Sequence, residues 1–311
     1  MPVDSRIAVV DLGTNSTRLL IADLADGDEL TELQRRSEVT RLGDGVDASG
    51  RLSDEAVERV LACLADYRDL ADEHGAGRRI AVATSAVRDS ENGDEFQERV
   101  RVELGFDIRT ISGDEEARLT FLGATTGRDP GEATLVVDIG GGSTEYVVGD
   151  PGSTPDFHVS TRLGSVRQTE RHLHTDPPAR EELAALATAA REIISDGVPE
   201  RVQTATGFGI AVAGTATQLA SVDQQLEHHD RRALHGYRLL LGECERILAR
   251  LAAKTVAGRR EVPGLDPARA PTIVAGATIM VESMRAFGLD YVEVSEADIL
   301  HGAAIEEMVR P

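Results

Sequence analysis

An α/β protein built from two related domains is what this sequence predicts, on three observations. Strand-type and helix-type hydrophobic patterns alternate from end to end. An Asp-apolar-Gly hairpin signature occurs twice, at Asp11 and again 127 residues later at Asp138. The length, 311 residues with 41% hydrophobic content, suffices for two ordinary cores and favours two domains over one.

The apolar run 7–10 ends in Asp11-Leu-Gly-Thr-Asn-Ser-Thr-Arg18, after which a second apolar run resumes at 19–22. Residues 134–137 lead in the same way into Asp138-Ile-Gly-Gly-Gly-Ser-Thr-Glu145 and the run 146–148. Each reads as two strands joined by a tight polar loop. Asp, Gly, Ser and Thr coincide at four positions, which points to duplication of one domain. Between the copies, residues 53–74 carry helical spacing at Val57, Val60, Leu61, Leu64, Tyr67 and Leu70, with Ser53 as N-cap and Asp54 and Glu55 in the first turn. Residues 79–83 read as strand, 96–104 as helix and 108–111 as strand. After the second hairpin, Pro177 and Pro178 introduce a helix over 180–195. Strand 210–213, helices 239–253 and 273–287, strand 291–294 and a final helix 298–309 follow. Segments 127–131 and 150–155 read as surface loops.

The start has only a short apolar run, too short for a signal-peptide core, and no stretch approaches the ~20 apolar residues that span a bilayer. A soluble, cytoplasmic protein is expected, with no membrane partner. Cys63 and Cys244 lack C-x-x-C spacing and read as reduced packing residues. The net charge is −21 and Lys254 is the only lysine. Such a balance opposes attraction to nucleic acid or an anionic membrane, and suits either a salt-rich cytoplasm or a GC-rich genome. An anionic ligand would have to be met by local arginines, backbone amides and a metal ion.

Residues 138–145 are the strongest chemical signal. Three successive glycines let the backbone approach a ligand closely and adopt positive φ, so that several N–H groups converge on a phosphate. The flanking carboxylates of Asp138 and Glu145 would repel that phosphate unless a divalent cation lay between them. Magnesium, which favours a few carboxylates plus water and phosphate oxygens, fits. A glycine-rich hairpin with Asp in an Asx-turn is the structural alternative. The first copy adds another aspartate, hydroxyl donors and an arginine. Adjacent glutamates divide differently: Ser112-Gly-Asp-Glu115 fits a capping box, while Glu116 lies on another azimuth of the same helix. There is no Walker-type phosphate loop at Lys254-Thr255 and no G-x-S-x-G elbow. The pairs His172/His174 and His228/His229 read as solvated.

Paired phosphate loops on duplicated halves resemble the superfamily of actin, sugar kinases and heat-shock ATPases, whose domains are ribonuclease H-like and enclose an interdomain cleft. In narrower terms, Asp11-Leu-Gly-Thr-Asn-Ser, Thr84-Ser-Ala-Val-Arg88, Ile111-Ser-Gly-Asp-Glu-Glu-Ala-Arg118, residues 138–145, Ala213-Gly-Thr-Ala-Thr217 and Gly264-Leu-Asp-Pro-Ala-Arg-Ala270 resemble, in order, the exopolyphosphatase and guanosine pentaphosphatase family. Over nearly the whole chain the resemblance is to that family's short form, without the C-terminal helical module of its longer members. It implies domains at 1–122 and 123–298, with helix 299–311 completing the first. It also implies release of terminal orthophosphate from inorganic polyphosphate. Guanosine pentaphosphate 5′-phosphohydrolysis, phosphotransfer and non-catalytic sensing stand as alternatives.

By the same resemblance Glu116 is the general base. Gly13, Thr14, Asn15, Ser16, Gly140, Gly141, Gly142, Ser143 and Thr144 bind phosphate, and Arg18 and Arg88 are the leading clamps, with Arg41, Arg118 and Arg269 weaker. Asp138 and Glu145, joined by Asp11, hold Mg²⁺. Leu300 and His301 stand where the family often has an arginine before the glycine. Oligomeric state is open, a homodimer included. Charge generates one prediction: salt screens the long-range repulsion of a polyanion by this surface, over a Debye length of ~10 Å at 0.1 M and ~3 Å at 1 M. Initial rates against KCl at saturating Mg²⁺ should therefore hold or rise for long polyphosphate. A steep fall from low salt, with circular dichroism unchanged, would contradict it.

Overall fold

Strand β1 (Arg6–Leu12) is apolar at consecutive positions, as a strand covered on both faces must be. Ala8, Val10 and Leu12 point into one apolar cluster, Ile7 and Val9 into another. This geometry comes from a computed structural model, which describes residues 6–24, 30–131 and 133–309. The outermost parts of the expected domain limits, residues 1–5 and 310–311, lie outside the described residues. The chain forms two units, Met1–Arg128 with Asp298–Pro311, and Asp129–Ala297. The first division falls after Arg128, just beyond the helix Gly113–Thr125.

In the first unit β1 is joined by β2 (Thr17–Leu24), β3 (Leu30–Glu38), β4 (Arg78–Ala83) and β5 (Asp107–Thr110) in the order β3-β2-β1-β4-β5. The β1–β2 and β2–β3 pairs are antiparallel, whereas β1–β4 and β4–β5 are parallel. Helices α1 (Val46–Ser49), α2 (Asp54–Glu73), α3 (Ser85–Arg88), α4 (Gly93–Leu104) and α5 (Gly113–Thr125) follow their strands. One face of the sheet is packed by α2 and α4. The other is packed by α5 and the C-terminal helix Ile299–Val309. The Ser53 hydroxyl accepts from Ala56 N at 3.2 Å, so the N-cap is where the sequence places it.

The second unit contains β6 (Thr134–Ile139), β7 (Thr144–Gly149), β8 (Phe157–Thr161), β9 (Phe208–Val212), β10 (Arg238–Leu240) and β11 (Tyr291–Val294), in the order β10-β11-β9-β6-β7-β8. Read from its far edge, β8-β7-β6-β9-β11 repeats the first sheet strand for strand, with the same antiparallel and parallel sense. β10 is an added antiparallel edge. Its helices are α6 (Ser165–His172), α7 (Arg180–Gly197), α8 (Glu200–Ala205), α9 (Ala213–Gln224), α10 (Arg231–Leu234), α11 (Leu241–Ala252), α12 (Val256–Arg260) and α13 (Ile273–Ala286), and α14 (Ile299–Val309) returns to the first unit. The duplicated α/β architecture is therefore present. No helix among the described residues is long and apolar enough to cross a membrane.

Three local expectations change. The helix expected from 239 begins at Leu241, because Arg238–Leu240 pairs with β11. The expected positive φ at Gly140–Gly142 is absent; left-handed glycines lie elsewhere, at Gly45 and Gly264 for example. At Ser112 only half of the capping box forms. Its hydroxyl accepts from Glu115 N at 3.1 Å, but the Glu115 carboxylate pairs with Arg109 instead of returning to the cap.

Helices α5 and α14 approach so closely that a Cβ on Gly302 would overlap the Leu119 carbonyl and one on Gly123 the Asp298 carbonyl. Backbone cannot yield as a flexible side chain can, so Gly302→Ala should cost at least ~2 kcal/mol. The expected result in chemical denaturation is a transition moved to lower denaturant. An unchanged midpoint would mean that the helices are not in this contact.

Candidate active site

The two hairpins end in the same turn. In the first, Leu12 pairs with Thr17 and Gly13 N donates to Ser16 O at 3.0 Å. In the second, Ile139 pairs with Thr144 and Gly140 N donates to Ser143 O at 3.0 Å. Each four-residue loop is buttressed by the segment after the parallel neighbour strand. Thr14 Oγ1 lies 2.8 Å from Ser85 Oγ in the first unit, and Thr215 Oγ1 donates to Ile139 O at 3.1 Å in the second. Thr14, Asn15 and Ser16, like Ser143 and Thr144, are buried.

In the first unit Asp11 and Arg18 face each other across the hairpin. Arg18 Nε and Nη2 donate to Asp11 Oδ2 at 2.8 and 2.5 Å, and Nη1 donates to Asp298. Arg35 Nη2 donates to the same Asp298 oxygen at 3.0 Å. Burial pushes the Asp11 carboxyl above its ordinary pKa, although Arg18 opposes the shift. Burial acts the same way on Asp298, yet Arg18 and Arg35 together hold it well below the ordinary carboxylate range. Arg18, expected as a phosphate clamp, is thus placed as the counter-ion of two buried carboxylates. Leu300, at the position where an arginine was in question, is fully buried in the core, and His301 lies 3.8 Å from Glu32 and 3.9 Å from Asp298.

Glu116 sits in the first turn of α5 at 8% exposure. Arg88, the last residue of α3, donates from Nη1 to Glu116 Oε2 at 3.0 Å and to Ile111 O at 2.9 Å. The predicted base and one predicted clamp are therefore in contact. Arg118 pairs with Glu306 and is half-exposed.

In the second unit Asp138 and Glu145 are directly opposed across β6 and β7, so both side chains lie on one face. Both are buried, at 7% and 1% exposure, and Glu145 Oε1 accepts from Ser160 Oγ at 2.7 Å. No group of three metal-binding side chains occurs among the described residues. Two hard carboxylates completed by water and phosphate oxygens are nevertheless a donor set that suits Mg²⁺. Sequence reasoning missed Arg167, 6% exposed, whose Nε donates to the loop carbonyl of Gly142 at 2.8 Å. Its position just after Gly164-Ser165 in the segment following the second hairpin was the available signal. The cysteines are buried, and desolvation raises their thiols to about 11 for Cys63 and about 12 for Cys244, values unsuited to nucleophiles.

The family model described as the Ppx/GppA phosphatase family matches residues 20–310. The chain is 37% identical to Exopolyphosphatase 2 of Mycobacterium tuberculosis strain H37Rv, across 97% of this chain and 98% of that protein. It is 29% identical to Exopolyphosphatase 1 of Mycobacterium leprae, across 97% and 89%. Among solved structures it is similar to the Aquifex aeolicus Ppx/GppA family member, with TM-score 0.80, 30% identity and 98% and 97% coverage. An exopolyphosphatase from Cytophaga hutchinsonii gives TM-score 0.88, 27% identity and 98% and 99% coverage. A match of this extent in sequence, joined to the repeated sheet and its two matching loops, shows that the chain belongs to the Ppx/GppA phosphatase family.

Proposed function

We propose that the chain is an exopolyphosphatase, which hydrolyses the terminal phosphoanhydride of inorganic polyphosphate. The observation that carries this is the pair of matching Asp-x-Gly-x-x-Ser-Thr loops, one per unit, accompanied by the Arg88–Glu116 contact. Peptide N–H groups of residues 13–16 and 140–143 bind phosphate oxygens, as a polyanion requires in a protein of net charge −21. Glu116 orients the attacking water and takes its proton as the water oxygen bonds to the terminal phosphorus. The bridging P–O bond breaks, and orthophosphate and a chain one unit shorter leave. Arg88 holds Glu116 in place and supplies a cation for the phosphoryl oxygens. Asp138 and Glu145 hold Mg²⁺, which when bound supplies charge neutralisation on phosphate oxygens. Asp11 is left out of that set because Arg18 already occupies its Oδ2. The site of action is the cytoplasm.

Glu116→Gln retains size and an oxygen acceptor for Arg88 but removes the base. Its kcat on polyphosphate should fall by roughly 10²-fold or more with KM nearly unchanged. Glu115→Gln, which loses only the partly exposed pair with Arg109, should stay within about twofold of wild type. Phosphate release assays on both, with guanosine pentaphosphate and ATP run in parallel, test base and substrate together. Full turnover in Glu116→Gln would overturn the base assignment. A strong preference for guanosine pentaphosphate would overturn the substrate.

Asp138→Asn and Glu145→Gln each remove one hard anionic donor, and the Mg²⁺ concentration giving half-maximal rate should rise by about tenfold or more. The readout is rate against added Mg²⁺ after chelation. Equal metal curves for wild type and both variants would remove these residues from the metal site.

A further inference from the structure

The carbonyls of the second phosphate loop all turn one way. Gly140 O accepts from Ser165 N at 2.9 Å and from Ser165 Oγ at 3.1 Å. Gly141 O accepts from Val166 N at 2.8 Å and Arg167 N at 3.2 Å, and Gly142 O from Arg167 Nε at 2.8 Å. In a planar trans peptide the C=O and the following N–H point in opposite directions. Fixing three successive carbonyls on α6 therefore turns the N–H groups of Gly141, Gly142 and Ser143 to the other side, as a row of donors. The contact is backbone on backbone at Gly164, where a Cβ would overlap Gly141 and Gly142.

The first loop is held differently. Thr14 O accepts from Gly43 N at 2.8 Å and Asn15 O from Arg41 N at 2.9 Å, both main-chain donors. The second loop depends on a side chain at the position matching Asn15, since the Arg167 guanidinium is the donor to Gly142 O.

We propose that Arg167 is a positioning residue for substrate binding: it fixes the Gly142–Ser143 peptide so that its N–H faces the phosphate. The inference rests on the proposed function and acts on the same loop. Arg167 works from the carbonyl side, opposite the donors, and so acts through the peptide. Methionine in its place leaves the Gly142 carbonyl without that donor and lets the peptide rotate, which removes one of three donors from the row. Lysine keeps the cation but not the planar fork, and restores part of the effect.

The test compares wild type, Arg167→Met and Arg167→Lys. Steady-state kinetics on polyphosphate are joined to calorimetric binding of tripolyphosphate in the Glu116→Gln background, with circular dichroism on every protein. KM and the dissociation constant should rise together by about tenfold in Arg167→Met, with kcat changed far less, and Arg167→Lys should fall between. A purely structural role would reduce the folded fraction, which lowers apparent kcat at constant KM; that result, or an unchanged KM, overturns the proposal. If Arg167→Met does not fold, Arg167→Lys decides in the same way. Wild type that neither binds tripolyphosphate nor hydrolyses polyphosphate would overturn the proposed function, and this inference with it. An active wild type with insensitive variants overturns the inference alone.

Discussion

Each sheet is centred on a hairpin covered on both faces, and the loop at its tip must satisfy its peptide groups away from the strand ladder. Buried carbonyls left without donors would each cost ~1–3 kcal/mol. Here they are met from one side, by residues 41–43 in the first unit and by α6 in the second. That single constraint sets most of what surrounds the loops. It demands glycine at Gly43, where a Cβ would overlap Thr14, and at Gly164. It brings Ser85 and Thr215 close enough to buttress the turns. It also turns the N–H groups of each loop to the opposite side.

Charge is arranged against the bulk of the molecule. A surface of net −21 disfavours a polyanion, so attraction has to come from short-range donors. Yet the most deeply set arginine of the first hairpin, Arg18, is committed to Asp11 and Asp298. Removing either acid would leave a part-buried guanidinium with fewer partners, which costs more than losing a fully exposed pair. Peptide N–H groups supply attraction without this expense, because their partial charges need no counter-ion.

The duplicated architecture was legible because both copies of the hairpin keep Asp, Gly, Ser and Thr in one frame, and because α2 has strict helical spacing after a serine cap. Elements without a readable period were lost. Strand β3, Leu-Thr-Glu-Leu-Gln-Arg-Arg-Ser-Glu, lies at a sheet edge and is largely polar. Helix α9 is rich in Ala, Thr and Ser and buried on most sides, so it shows no amphipathic stripe. The candidate site residues came from the motifs of the sequence, and Arg167 lies outside them. Its significance lies in which carbonyl it meets, and no spacing rule encodes that. Arg18 was named from its motif, and the structure adds Asp11 and Asp298 beside it, since a motif shows that a cation is present and not which anions stand next to it.

The two hairpins differ most where they should matter most. Position for position, Asp11 faces Arg18 and Asp138 faces Glu145. An acid opposite a base is neutral within the protein and needs nothing further. Two acids opposed on one buried face repel, and like charges so placed destabilise a sheet unless a cation lies with them. One exchange of Arg for Glu at equivalent positions therefore separates the two hairpins in charge. The first hairpin carries an acid paired with a base, and the second carries two acids on one face. Under the proposed function Mg²⁺ would be held at the second hairpin, beside the loop whose Gly142 carbonyl accepts from Arg167.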